Sequence, residues 1–273
     1  MSNFTTIRGV DLHTRVQGDG GALLWSHGLT SSMATEDALE VFAWDRFPEH
    51  HRLIRYDARG HGRSSASYSA SDYQWPEMAR DMFGVADHYS ADRFIAGGQS
   101  MGCATSIYAA LQSPDRIKGL ILMCPPTGWE TRAEQAAMYR KMAQVGGLLG
   151  GKLLARLLGS RLASMLPAWL VEGQPSAVDA ISIGISAQSR KTLKSLFRGA
   201  SQTDLPEQAA VASLTMPALI LAWSDDPAHP LTTARALHDL LPDARLVVAE
   251  SYADLEKWPG LVEQFVAGLE SES

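Results

Sequence analysis

Only two of the 273 residues are cysteine, Cys103 and Cys124. That is too few for a disulfide framework, and their spacing is not that of metal ligands, so a reducing, cytoplasmic compartment is expected. Basic residues are in the minority: 24 Lys and Arg against 30 Asp and Glu leave a net charge of -6. Such a field opposes nonspecific binding to nucleic acid or anionic lipid. No apolar run reaches the roughly 18 residues of a membrane span, and Met1 to Arg8 contain no apolar stretch of signal-peptide length. No nucleic-acid or membrane partner is therefore expected. Also missing are G-x-G-x-x-G after the first strand, H-E-x-x-H and a Walker A loop. No metal or other cofactor is expected, and the remaining partner is a small-molecule substrate.

What is present is a chain with 45% apolar and 20% charged residues, enough to bury a sizeable core. Two alternating segments, Thr5 to Arg8 and Val10 to Val16, predict an antiparallel hairpin. Compact apolar runs follow at Ala22 to Trp25, Leu53 to Tyr56, Phe94 to Ala96, Leu120 to Met123, Ala218 to Trp223 and Leu246 to Ala249. They read as strands buried on both faces. Helical periodicity fills Trp75 to Tyr89, Met101 to Gln112, Thr232 to Leu241 and Pro259 to Leu269. The alternation predicts an α/β fold with a mostly parallel sheet and helices on both faces. It breaks between residues 125 and 214, where Ala, Leu, Met, Arg and Lys dominate and no strand is evident. The expected organisation is a core from residues 1–124 and 215–273 with an inserted helical cap at 125–214. Gly146-Gly147, Gly150-Gly151, Pro167 and Pro175 should divide that cap into short helices.

After the run ending at Ala96 comes Gly98-Gln99-Ser100-Met101-Gly102, a G-x-S-x-G between a strand and a helix. A serine in so tight a turn projects its hydroxyl away from the backbone, and the flanking glycines let neighbouring main chain pass. The following helix aims N-H groups at developing negative charge. Two further motifs follow earlier strands: Ser26-His27-Gly28-Leu29-Thr30 and Asp57-Ala58-Arg59-Gly60-His61-Gly62. Together, in this order, the three resemble the α/β-hydrolase superfamily, in particular its small esterases, lactonases and carbon-carbon bond hydrolases. The resemblance implies an α/β-hydrolase fold, a nucleophile at Ser100, and an oxyanion hole from the backbone N-H groups of Leu29 and Met101. It implies that His27 shapes the oxyanion loop, and that Asp57, Arg59 and His61 stabilise turns.

The family commonly places its acid in a D-P-x-x-P turn after a late strand, which matches Asp226 in Asp226-Pro227-Ala228-His229-Pro230. Adjacent Asp225 competes for the role, and either could cap the next helix. The family's general-base histidine, usually found after the last strand, is missing: nothing beyond His238 is histidine. Ser251 or Tyr252 stands in its place, depending on the alignment. A serine hydroxyl is a weak nucleophile without a base. His13, His50, His51, His88 and His238 fall in the hairpin or on peripheral segments and are expected to be solvated. His27, His61 and His229 fall at the carboxyl ends of strands, where ligands bind in open α/β sheets. His229 is the candidate base, although its closeness in sequence to Asp226 leaves Asp254 as a competing acid. Two functions stay open. One is a serine hydrolase of small to medium esters or lactones working through an acyl-enzyme on Ser100. The other is a degenerate relative that only binds ligand or does non-hydrolytic chemistry. Met138, Met142, Met165, Trp129, Trp169 and Phe197 suggest an apolar lid.

Overall fold

A computed structural model describes residues 2–41, 44 and 51–271; the prediction for His50 lies outside them. The strands are β1 (Ser2–Ile7), β2 (Val10–Gln17), β3 (Gly21–Ser26), β4 (His51–Tyr56), β5 (Phe94–Gln99), β6 (Ile117–Met123), β7 (Ala218–Trp223) and β8 (Ala244–Ala249). They form one sheet in the order β1-β2-β4-β3-β5-β6-β7-β8. The β1–β2 and β2–β4 pairs are antiparallel and the other pairs parallel. Around the sheet lie α1 (Met33–Leu39), α2 (Trp75–His88), α3 (Met101–Gln112), α10 (Leu231–Leu240), α11 (Tyr252–Leu255) and α12 (Trp258–Ser271).

Successive apolar residues in each run divide between two cores. Leu24, Ile54 and Ile220 pack on one face with residues of α2, α3 and α10. Their neighbours Leu23, Leu53 and Leu219 pack on the other with Trp258, Val262 and Val266 of α12. This is the period-two geometry of strands covered on both sides. The edge strand β8 departs from the prediction: Leu246, Val247 and Val248 are only half-buried, because a strand with one neighbour has less to pack against.

The chain leaves β3 towards β4 on one side and returns to β5 on the other. At such a reversal the loops beyond the strand ends splay apart and leave a crevice. The loop after β3 and the turn after β5 meet there, and a Cβ on Gly28 would lie 3.5 Å from Ser100 Cβ.

Between β6 and β7 the described residues form helices: α4 (Arg132–Leu149), α5 (Gly151–Leu158), α6 (Ala168–Gly173), α7 (Ser176–Ser186), α8 (Arg190–Ala200) and α9 (Gln208–Ala212). A third apolar cluster holds this layer together, with Leu154, Leu162, Ile185, Leu193 and Leu196 at its centre. Gly146-Gly147 does not break the chain as expected, since α4 runs through both and ends at Gly150. Gly146 instead lets α8 approach: a Cβ there would lie 3.2 Å from Leu193 Cβ.

Candidate active site

The turn after β5 is shaped by what surrounds it. Ser100 takes φ 53 and ψ -109, a conformation that side chains rarely adopt. Its N-H donates to the Met123 carbonyl at 3.0 Å, tying the turn to β6. A Cβ on Gly98 or on Gly102 would run into the Ser26 carbonyl, so both positions demand glycine. Cys103, one turn into α3, points its thiol at the Gly98 and Met123 carbonyls. Burial pushes the thiol pKa of Cys103 well up, and Cys103 and Cys124 are both free and buried.

After β7 the chain bends at Asp225, whose φ is 62. The bend turns Asp225 outward and Asp226 inward, where Asp226 is 5% exposed. One Asp226 oxygen, Oδ1, accepts the backbone N-H groups of Ala228 at 2.8 Å and His229 at 3.3 Å. The same short turn carries a backbone bond from the His229 N-H to the Asp226 carbonyl, at 3.2 Å. Residues three apart in such a turn project to one side, so His229 Nδ1 reaches Asp226 Oδ2 at 2.7 Å. That oxygen also accepts the Trp223 indole N-H at 2.8 Å. The far nitrogen of the ring, His229 Nε2, lies 2.8 Å from Ser100 Oγ. Sequence proximity, which argued against this acid, is what aligns it.

Burial works to raise the Asp226 carboxyl pKa. The neighbouring His229 and the N-H donors of His229, Trp223 and Ala228 outweigh it and hold the group below the usual carboxylate range. With Oδ2 facing Nδ1, that nitrogen carries the proton and Nε2 presents its lone pair to the Ser100 hydroxyl.

Asp254 is elsewhere engaged. It accepts from the Ser251 hydroxyl at 2.7 Å and pairs with Lys257 at 2.8 Å. Those bonds hold its pKa down at about 2. In the loop after β8, Ser251 caps α11 through the Asp254 N-H, and the Tyr252 ring packs on Gly173 of α6. The two positions that stand for the missing histidine therefore serve structure.

Met101 opens α3, so its N-H has no intrahelical acceptor. Among the described residues the Leu29 N-H makes no loop hydrogen bond either. Leu29 and Ser100 line one cavity with His229. His27 clasps two loops: its Nδ1 donates to the Gly28 carbonyl and its Nε2 accepts the Ala58 N-H, at 2.8 and 2.9 Å. Asp57 collects the Met33 and Arg63 N-H groups at 2.7 and 3.0 Å. Arg59 turns away from the cavity to a buried, two-pronged pair with Asp81. His88 and His238 are exposed as expected, but His13 and His51 are buried. His13 bonds Asp57 at 2.8 Å, a contact between distant segments that the sequence of the hairpin could not announce.

The cavity measures about 220 Å³. Met138, Met142, Met165 and Phe197 line it as the sequence suggested. Trp129 and Trp169 do not: they bond Pro206 and Ser224 at 2.8 and 3.4 Å outside it. Leu29, Trp44, Met123 and Trp223 complete much of the apolar wall. Its charged lining residue among those described, Glu36, is buried and already holds Trp25 and Arg55, at 2.9 and 3.1 Å. Ser31 Oγ is a buried hydroxyl on the same wall, without a partner among the described residues. Among the described residues no cluster of three His, Cys, Asp or Glu could hold a metal ion, and no helix is long and apolar enough to cross a membrane.

A family pattern described as the alpha/beta hydrolase fold matches residues 21–255. The chain belongs to the α/β-hydrolase family. Its curated relatives include the hydrolase RutD of Variovorax paradoxus, 27% identical over 240 residues and matched across 86% of each chain. Another is 3-oxoadipate enol-lactonase 2 of Acinetobacter baylyi, 22% identical over 86% of this chain and 82% of that one. Among solved structures, a thermophilic esterase from Thermogutta terrifontis superposes with a TM-score of 0.80 at 20% identity, covering 100% of this chain and 98% of that one. This likeness shows that the two chains share a fold.

Proposed function

We propose that the chain is a serine hydrolase of small to medium, uncharged carboxylic esters or lactones. The observation that carries this reading is the unbroken relay from Ser100 Oγ through His229 to Asp226, with links of 2.8 and 2.7 Å. In it, Ser100 Oγ attacks the ester carbonyl carbon while His229 Nε2 takes the hydroxyl proton. Asp226 supports the resulting imidazolium through Nδ1-H. The carbonyl oxygen becomes an oxyanion that the Leu29 and Met101 N-H groups receive, each contributing about 2.7 to 4 kcal/mol by analogy with measured donors. Collapse of the tetrahedral species expels the alkoxide, which takes the proton from His229. Water, deprotonated by His229 in turn, then releases the acid from Ser100.

Substrate class follows from the walls. Among the described residues the cavity is apolar and its one charged lining residue is already paired, so it offers nothing to a charged acyl group, and a desolvated charge there would be costly. Helices α4 to α8 act in this reading as the cap at 125–214, supplying the methionines and Phe197 over Ser100. The esterase and lactonase relatives support the ester class, and the free cysteines suit a cytoplasmic setting.

A fluorophosphonate probe should label Ser100 in the wild-type protein and not in Ser100→Ala or His229→Ala, with ester turnover lost in both. Turnover that survives Ser100→Ala, or a folded wild type that takes up no label, would remove the acyl-enzyme and leave the ligand-binding alternative.

A further inference from the structure

The helices over the cavity carry a charge opposite to the rest of the molecule. From Arg140 to Arg198 stand nine basic residues against two acidic ones, Glu172 and Asp179, giving +7. The remaining residues hold fifteen basic against twenty-eight acidic and come to -13. The net value of -6 for the whole chain conceals this division. The same helices leave aliphatic side chains in water: Leu148 is 72% exposed, Leu153 48% and Leu157 61%.

Leucines and cations interleave at one corner. On α5 the exposed residues include Lys152, Leu153, Arg156 and Leu157, so a row of leucines four apart runs beside a row of cations four apart. Leu148 sits at the end of α4, immediately before α5. Helix α8 brings two more cations to this corner: a Cβ on Gly147 would lie 3.2 Å from Lys194 Cβ, and one on Gly150 3.1 Å from Arg190 Cγ. None of these four cations pairs with a carboxylate among the described residues.

We infer that this corner docks on an anionic phospholipid bilayer. Headgroup phosphates would meet the four cations while the leucines enter the headgroup–acyl boundary, the division of labour of interfacial amphipathic surfaces. A second copy of the chain is a poorer occupant, since a two-fold contact would set these cations against one another. A polynucleotide would satisfy the cations and leave the leucines in water. The strongly acidic body is repelled by the same bilayer, which orients the molecule with the corner leading. Leu158, next to Leu157, lines the cavity. Docking would thus set the cavity wall beside a reservoir of apolar esters, a consequence that rests on the proposed hydrolase reading. The docking itself does not.

Flotation with unilamellar phosphatidylcholine vesicles, with and without about one-quarter phosphatidylglycerol, tests the inference. The wild-type protein should float with the anionic vesicles only, and added salt should release it. Each surface cation multiplies partitioning roughly fivefold, so Lys152→Glu with Arg156→Glu should lower it by at least about tenfold. Leu153→Ser with Leu157→Ser should lower it comparably, with an unchanged thermal unfolding midpoint as the control for folding. Should either pair unfold, Lys194→Glu on α8 must still weaken flotation. A wild type that stays behind overturns the inference, as does flotation indifferent to the folded variants. A discrete dimer in solution that the leucine pair dissolves would likewise overturn it. No turnover is measured, so the result is independent of the role of Ser100.

Discussion

His229 and Asp226 stand three residues apart in one turn, and their side chains meet at 2.7 Å between Nδ1 and Oδ2. The turn is held by the carboxylate itself, through Oδ1 and the N-H groups of Ala228 and His229. Asp226 therefore builds the loop that delivers the imidazole to Ser100 as well as orienting that imidazole. Asp226→Asn should lower kcat for a short-chain ester by about 10⁴-fold, as expected when the base is held in the wrong tautomer. Steady-state kinetics on the folded variant reads this out.

The competing carboxylate gives the control. Asp254 is bound to Ser251 and Lys257 rather than to an imidazole. Asp254→Ala should leave kcat and KM within roughly twofold of wild type, the scale of surface changes away from a site. A loss comparable to that of Asp226→Asn would reassign the acid.

Trp223 acts through Asp226. Its indole N-H shares Oδ2 with His229, and its ring stacks on Trp258 at 6.0 Å. Trp223→Phe keeps a ring in place and removes the donor. Because that donor helps to hold the Asp226 carboxyl pKa down, its loss raises it. We expect kcat to fall by about tenfold, the value of one hydrogen bond to a charged group. KM should be little changed, and the acid limb of the pH–rate profile should move to higher pH.

His61 makes stability depend on pH. Its Nδ1 donates to the Arg59 carbonyl at 2.8 Å and its buried Nε2 has no hydrogen-bond partner among the described residues. Burial, with His27 beside it, pushes its pKa down to about 3. The unfolded chain takes up a proton near pH 6.5 that the folded chain refuses, so the folded state is fully favoured above about 6.5 and loses ground as pH falls towards 3. Each pH unit in that window costs about 1.4 kcal/mol from this group. Denaturant titrations of wild type and His61→Asn should show a shallower decline for the variant.

Gly102 tests the backbone of the nucleophile turn. A Cβ there would strike the Ser26 carbonyl, which β3 holds beside β5 through the Ser26–Gly98 pairing. Gly102→Ala should destabilise the fold by several kcal/mol, on the order of 3 or more, with labelling of Ser100 lost in the same preparation. Thermal unfolding and probe labelling measure the two effects.

Much of this was legible in the chain because local rules sufficed. The helix over Met101 to Gln112 and the strand over Ala218 to Trp223 have the predicted bounds, since a glycine-serine turn and a polar turn punctuate them sharply. The placing of Leu29, Ser100, Met101 and Asp226 just beyond the ends of β3, β5 and β7 was legible for the same reason, whereas the roles expected of Leu29, Met101 and Asp226 came from the family resemblance. What the sequence could not convey depended on distant partners. The burial of His13 goes with a hydrogen bond to Asp57, 44 residues later. Gly146 sits inside a helix because Leu193 of α8 needs the room. The half-buried β8 reflects its place at an edge, and the edge is set by strand order. That Asp226 rather than Asp225 faces inward goes with the φ of 62 at Asp225, a single torsion that no pattern of residue types encodes.

On the proposed reading, housing base and acid in the turn after β7 relieves the segment that follows β8 of chemical duty. Residues 250–257 need only cap α11 and seat Tyr252 against Gly173. A lengthened or exchanged loop there, or a domain grafted into it, should leave Ser100, His229 and Asp226 in register, a tolerance to insertion at the rim of the molecule.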